Sequence, residues 1–149
     1  MGIEDGKAGS VSIEQHVDAP ADNVAAYIGD FRNAKEWMVG VETVERLEED
    51  VFRLRLESPI GKIEPEAKIV EHNPESIRWI YTSTIEGGGR VAVRPDENGG
   101  SIVTYTGDFR LKGRVLGRIA QAAGMEKFAR MNGERSLTRL KHLMEARRY

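Results

Sequence analysis

Residues 101–147 read SIVTYTGDFRLKGRVLGRIAQAAGMEKFARMNGERSLTRLKHLMEAR, and a change of period inside that stretch decides the fold. Up to Phe109 the chain alternates, with Val103, Tyr105, Gly107 and Phe109 on one side and Thr104, Thr106 and Asp108 on the other. That is the period of a strand with one buried and one wet face. Beyond Leu111 the apolar residues recur at helical spacing, through Val115, Leu116, Ile119, Phe128, Leu137, Leu140 and Met144. One helix over residues 112–147 would be about 54 Å long, too long for one domain of this size, so a break is expected at Gly124.

Working back from that stretch, residues 41–109 carry turn signals about a strand apart, at Glu49-Asp50, Ser58-Pro59-Ile60-Gly61, Asn73-Pro74-Glu75, Glu86-Gly87-Gly88-Gly89 and Asp96-Glu97-Asn98-Gly99-Gly100. Six strands fit among these turns. Gly87-Gly88-Gly89-Arg90 lacks the Gly-Lys-Ser/Thr ending of a phosphate loop and is read as a hairpin turn. Further upstream, residues 11–17 (VSIEQHV) alternate as a first strand, and Asp18-Ala19-Pro20-Ala21-Asp22 supplies helix-start chemistry with Asp18 as the cap. Val24, Tyr27 and Ile28 form the stripe of a short helix ending at Gly29, and a second short helix is expected over residues 30–38. A strand, two short helices, a six-strand meander and a long amphipathic helix leave few packings. The order predicts an α+β fold in which a curved seven-stranded antiparallel sheet wraps around the terminal helix.

The chain has 149 residues and 40% hydrophobic residues, the composition of one globular domain, taken here as residues 11–149 after a flexible residues 1–10. It has no Cys, which excludes disulfides, Cys-based zinc sites and thiol catalysis. No apolar stretch approaches the ~20 residues of a membrane-spanning helix and no apolar signal core opens the chain, which places it in the cytoplasm. The net charge of −2 hides two unlike parts: residues 1–109 carry a net −10 and residues 110–149 a net +8. A basic helix facing an acidic sheet neutralises itself, and the interleaving of Arg and Lys with apolar residues favours this reading over a nucleic-acid surface.

These residues resemble the START-like, SRPBCC or birch-pollen-allergen-like superfamily of the helix-grip fold, nearest its polyketide cyclase/dehydrase branch. The resemblance is carried by residues 17–24 (VDAPADNV) with 27–30 (YIGD), 37–41 (WMVGV), 100–105 (GSIVTY), 116–118 (LGR) and 140–145 (LKHLME). It implies an apolar cavity between sheet and helix. Family members include lipid carriers and aromatase/cyclases, so the shared theme is that hollow and not one reaction.

Signals for catalysis are few. No Gly-x-Ser-x-Gly elbow is present, His16, His72 and His142 fall at unrelated places, and Glu64 and Glu66 share a strand face with Lys62 and Lys68, the pattern of a solvated ion-paired face. No catalytic residue, metal or cofactor is assigned. The inward phases are richer: Trp79, Tyr81, Ser83, Tyr105 and Phe109 from the sheet face Met125, Phe128 and Asn132 from the helix, with Trp37 near one end. Mostly apolar and aromatic, with a few polar groups, this set has the make-up of a small-molecule cavity. The sequence-based reading is therefore binding of a small hydrophobic or aromatic ligand, with lipid-like molecules included. The alternatives are a cyclase/dehydrase acting in the same cavity and an interaction protein using the basic terminal helix. The phase of Arg90 and Arg94 stays open, and with it an anionic ligand.

Overall fold

A computed structural model describes residues 8–58, 61–111 and 118–147, with the side chains of 8–10, 109–111 and 118–125 outside the description. The chain runs β1 (Ala8–Val17), α1 (Ala21–Gly29), a 3-10 turn (Phe31–Asn33), α2 (Ala34–Trp37), β2 (Val41–Glu48), β3 (Val51–Ser58), β4 (Gly61–Ile63), β5 (Glu66–Asn73), β6 (Ser76–Tyr81), β7 (Ile85–Pro95), β8 (Ser101–Leu111) and α3 (Arg118–Ala146). All paired strands are antiparallel, in the order β1-β8-β7-β6-β5-β3-β2, with β4 beside β3. This is the expected seven-strand path plus one short strand.

That extra strand has a simple origin. β3 pairs with β5 through Val51–Lys68 and Arg53–Glu66, and with β4 through Leu56–Ile63 and Ser58–Gly61. β4 and β5 are thus one strand interrupted before Glu66 by Pro65, whose nitrogen has no hydrogen to donate to a ladder. The Pro65 carbonyl still accepts from Leu54 N–H at 2.9 Å, so the two pieces remain in the sheet.

Three boundaries differ from the sequence reading. Gly87-Gly88-Gly89 lies inside β7 and not in a turn. A Cβ on Gly88 would stand 2.1 Å from the Trp79 carbonyl oxygen and one on Gly89 2.4 Å from Trp79 Cζ2, so the glycines serve close approach of the β6 strand. Helix α1 opens after Pro20, so Pro20 and not Asp18 stands at its cap position; the Asp18 N–H donates to Glu145 Oε2 at 2.9 Å, tying the entry to α1 to the end of α3. Helix α3 continues unbroken through Gly124, where the sequence reading expects a break, over 29 described residues, about 43 Å.

The concave face of the sheet is covered by all three helices. α3 packs along β1, and Leu137, Leu140 and Met144 on it join Val24, Ile28, Phe31 and Trp37 over Leu54, Trp79, Val91 and Val103. Phe31 sits between Phe52 and Trp79, each with ring centroids 5.2 Å away. Buried Val91 and Val93 settle the phase of β7: Arg90 and Arg94 are exposed, paired with Glu71 at 3.4 Å and Glu14 at 3.9 Å. On the same convex face Lys62 pairs with Glu42 at 2.8 Å and Arg53 with Glu66 at 3.5 Å. Of the basic helix, Lys141 pairs with Glu145 on its own face, Arg147 reaches Glu36 at 3.9 Å and lies 4.8 Å over the Tyr27 ring, and Arg130, Arg135 and Arg139 are exposed. No helix among the described residues is long and apolar enough to cross a membrane.

Candidate functional site

Between α3 and one end of the sheet lies a cavity of about 90 Å³. Helix α3 lines it with Phe128, Ala129, Asn132, Gly133 and Ser136; the sheet contributes Leu56, Ile63, Tyr81, Ile85 and Tyr105; the α2–β2 connection closes it with Trp37, Met38, Val39, Gly40 and Val41. The spacing of the α3 residues puts them on one helical face, and the small ones hold the helix close without filling the space. A Cβ on Gly133 would stand 2.6 Å from Ile13 Cδ1 and 3.3 Å from Tyr105 Cε2, and one on Gly107 would stand 2.5 Å from the Tyr105 hydroxyl. Tyr105 is therefore held between a glycine of the helix and a glycine of its own strand.

The polar groups at the cavity's rim are tied to its backbone. Val39 N–H donates to Ser136 Oγ at 2.8 Å, and Asn132 Nδ2 donates to the Val39 carbonyl at 3.4 Å. Gly40 follows with φ +96°, a left-handed conformation that suits glycine, and its carbonyl accepts from Glu57 N–H at 3.0 Å. On the sheet side, burial pushes the Tyr105 hydroxyl well above the usual phenol range, with the nearby Tyr81 and Asp108 adding to the shift. Burial also pushes Tyr81 up, countered in part by the indole of Trp79. Both hydroxyls are protonated donors throughout the neutral range.

Of the residues selected from sequence, Trp37, Tyr81, Tyr105, Phe128 and Asn132 meet around this cavity. Trp79 lies behind it, 1% exposed and packed on Phe31. Ser83 does not line it; its hydroxyl accepts from Glu66 N–H at 3.0 Å and fastens the β6–β7 turn. Phe109 lies on β8 opposite Gly87 and Met125 lies on α3, but both side chains are outside the described residues. Sequence reasoning passed over Met38, Val39, Ile85 and Ser136. Ser136, four residues after Asn132, could have been found from helical spacing, whereas the 38–41 connection carries no period to read.

Among the described residues no group of three or more His, Asp or Glu side chains could hold a metal ion. His16 faces the Gly99 carbonyl at 3.0 Å and Asp96 at 3.4 Å, His72 stands beside Gly29, and His142 is exposed on α3, so none lines the cavity.

Residues 8–145 match the family model described as polyketide cyclase / dehydrase and lipid transport. No curated protein matches the chain. Among solved structures, a START superfamily protein from Mycobacterium smegmatis is 16% identical with a TM-score of 0.75, over 92% of this chain and 97% of that one. Zhui aromatase/cyclase from Streptomyces sp. R1128 is 20% identical with a TM-score of 0.77, over 93% and 94%. The di-domain ARO/CYC StfQ from the steffimycin biosynthetic pathway is 14% identical with a TM-score of 0.70, over 95% of this chain and 52% of that one. At these identities the likeness is one of fold.

Proposed function

Because the chain belongs to the polyketide cyclase / dehydrase and lipid transport family, we propose that it binds a small hydrophobic or aromatic molecule between the sheet and α3. The observation that carries this reading is the aromatic hollow lined by Trp37, Tyr81, Tyr105 and Phe128. At about 90 Å³ it is smaller than the ~150 Å³ apolar cavity that takes benzene and well below the roughly 300–1,000 Å³ of drug-sized pockets. The end of a chain suits it as it stands; a ring has to swing Phe128, which is only half-buried.

Binding without chemistry is favoured over a cyclase/dehydrase by the titratable groups on the cavity wall. General acid–base catalysis works best with a group whose pKa lies near the operating pH. Tyr81 and Tyr105 are both displaced away from that range. Glu57, on the rim, is exposed. Solved neighbours that are aromatase/cyclases share the fold, so a reaction in this chain would use these hydroxyls to orient a carbonyl and not to move protons.

Native mass spectrometry of the purified protein, followed by extraction of anything bound, tests the reading. A retained small apolar or aromatic molecule supports it and names the ligand class. A protein that carries nothing and binds no hydrophobic dye in titration overturns it, and directs attention to the exposed arginines of α3.

A further inference from the structure

The sequence predicts that the basic C-terminal segment is neutralised by the acidic sheet, but the sheet's carboxylates are engaged elsewhere. On the convex face five Arg and Lys side chains of the sheet pair with them, Lys62 with Glu42 and Arg90 with Glu71 among these. Helix α3 covers the opposite, concave face. Its Lys141 and Arg147 find carboxylates, whereas Lys127, Arg130, Arg135 and Arg139 are exposed and make no ion pair among the described residues. Lys127, Met131, Arg135, Thr138 and His142 recur at intervals of three and four residues, which makes one outward row, with Arg130 and Arg139 on either side of it. Over residues 126–142 the exposed carboxylates are Glu126 and Glu134, so four cations face outward against two acids. The net −10 of residues 1–109 and net +8 of residues 110–149 thus fall largely on opposite sides of the molecule, an arrangement that turns α3 toward an anionic surface.

The apolar residue in that row narrows the partner. Met131 is 39% exposed, and the other large exposed apolar side chains among the described residues, Val70 and Ile80, lie on the sheet. Phe128, three residues before Met131, is half-buried on the same side of the helix. A nucleic-acid backbone offers phosphates to the arginines and nothing to a methionine between them. The interface of a bilayer takes both, with the cationic heads at the lipid phosphates and the apolar side chain below them.

We propose that the outer face of α3 docks the protein on an anionic lipid bilayer, with Lys127, Arg135 and Arg139 at the headgroup phosphates, Met131 between them and the convex face of the sheet turned to water. The docking surface stands on charge and exposure and does not depend on what the cavity holds. Each Lys or Arg near an anionic leaflet contributes about 1 kcal/mol, and one methionine adds little more, so the contact is weak, reversible and sensitive to salt.

Co-sedimentation of the full chain with two kinds of vesicle tests the proposal: phosphatidylcholine alone, and phosphatidylcholine with about 30% phosphatidylserine, at about 0.05 M and about 0.3 M NaCl. Binding is expected to the phosphatidylserine vesicles at low salt, at least about tenfold weaker to phosphatidylcholine alone and lost at high salt. The double variant Arg135→Gln/Arg139→Gln is expected to bind about 30-fold more weakly, and Met131→Ser about threefold. A control pair on the convex face, Arg55→Gln/Arg94→Gln, removes the same charge from the other side and is expected to stay within about twofold of wild type. All five positions are exposed, and urea midpoints check that each variant is folded. No sedimentation with the phosphatidylserine vesicles at low salt overturns the proposal, as does an equal loss in the two double variants, which would trace binding to net charge and not to this face. Tighter binding to a double-stranded oligonucleotide than to vesicles, unaffected by Met131→Ser, also overturns it and assigns the face to nucleic acid.

Discussion

The backbone N–H of Val39 and the hydroxyl of Ser136, 97 positions apart in sequence, meet at 2.8 Å and fasten the cavity's rim to α3. Removing the hydroxyl leaves a part-buried N–H without its acceptor. Ser136→Ala is therefore expected to lower unfolding free energy by about 1–2 kcal/mol in urea titration. An unchanged midpoint would mean that water replaces Ser136 and that the rim is not held by this contact.

Asn132 occupies the same rim, and on sequence grounds alone its replacement by Leu should leave stability unchanged or raise it, since a polar group in an apolar hollow is costly. The structure supplies the partner that this argument lacked, the Val39 carbonyl at 3.4 Å. At that length the bond is weak, so Asn132→Leu is expected to cost about 0.5–1 kcal/mol, less than Ser136→Ala. A larger cost for Asn132→Leu than for Ser136→Ala in the same titration would reverse the roles assigned to the two residues.

Thr84 has φ +72°, and Ile85 N–H donates to the Ser83 carbonyl at 2.7 Å across it, a three-residue turn of the strained kind. A β-branched residue in this conformation is a true outlier. Ile85, 1% exposed, stands next to it in the cavity wall. Thr84→Gly relieves strain of about 1–3 kcal/mol at an entropic cost of roughly 0.5–1 kcal/mol. The expected result is a net gain near ~1 kcal/mol and a higher melting temperature; a lower one would show that the Thr84 side chain contributes more than its backbone costs.

The glycines of β7 give a test of packing. A Cβ on Gly89 meets the Trp79 ring at 2.4 Å, so Gly89→Ala is expected to destabilise by about 1–3 kcal/mol. If the clash is with that ring, the penalty shrinks in a Trp79→Leu background, and the double-mutant cycle shows a coupling of about 1 kcal/mol or more. Strict additivity would place the cost of Gly89→Ala in the backbone.

How much of this was legible in the sequence depends on whether side chains carried a period. The alternations in β3, β6 and β8 and the stripe of α3 put Tyr81, Tyr105, Phe128 and Asn132 around one cavity, because facing phases of a sheet and a helix must meet. The glycine triplet of β7 has no side chains to alternate, so its strand was read as a turn; what makes it a strand is the approach of Trp79, a long-range fact. Helix α3 passes through Gly124 because one glycine costs a helix only about 1 kcal/mol. The Val39 rim lies in a connection whose place is set by Ser136 and Asn132, far along the chain.

Stability at alkaline pH should report the two half-buried phenols of the cavity wall. Tyr81 and Tyr105 have folded pKa values raised above the ordinary 10.0, mainly by burial. A group whose pKa is raised on folding contributes stability that is fully present below its unfolded pKa and is lost as pH rises through the folded value. Above pH 10 the unfolded chain therefore binds fewer protons than the folded one, and unfolding free energy falls with rising pH, by at most about 1.4 kcal/mol per pH unit for each phenol. Tyr27 shifts in the same direction by burial and by its hydrogen bond to Glu36, and adds to the fall. Urea midpoints measured from pH 8 to 11 should be flat at first and then drop beyond pH 10. Tyr105→Phe should make that drop shallower, since phenylalanine has no proton to lose. A drop of unchanged slope in this variant would mean that the Tyr105 hydroxyl ionises in the folded protein as it does in water, and that the sheet end of the cavity is wet.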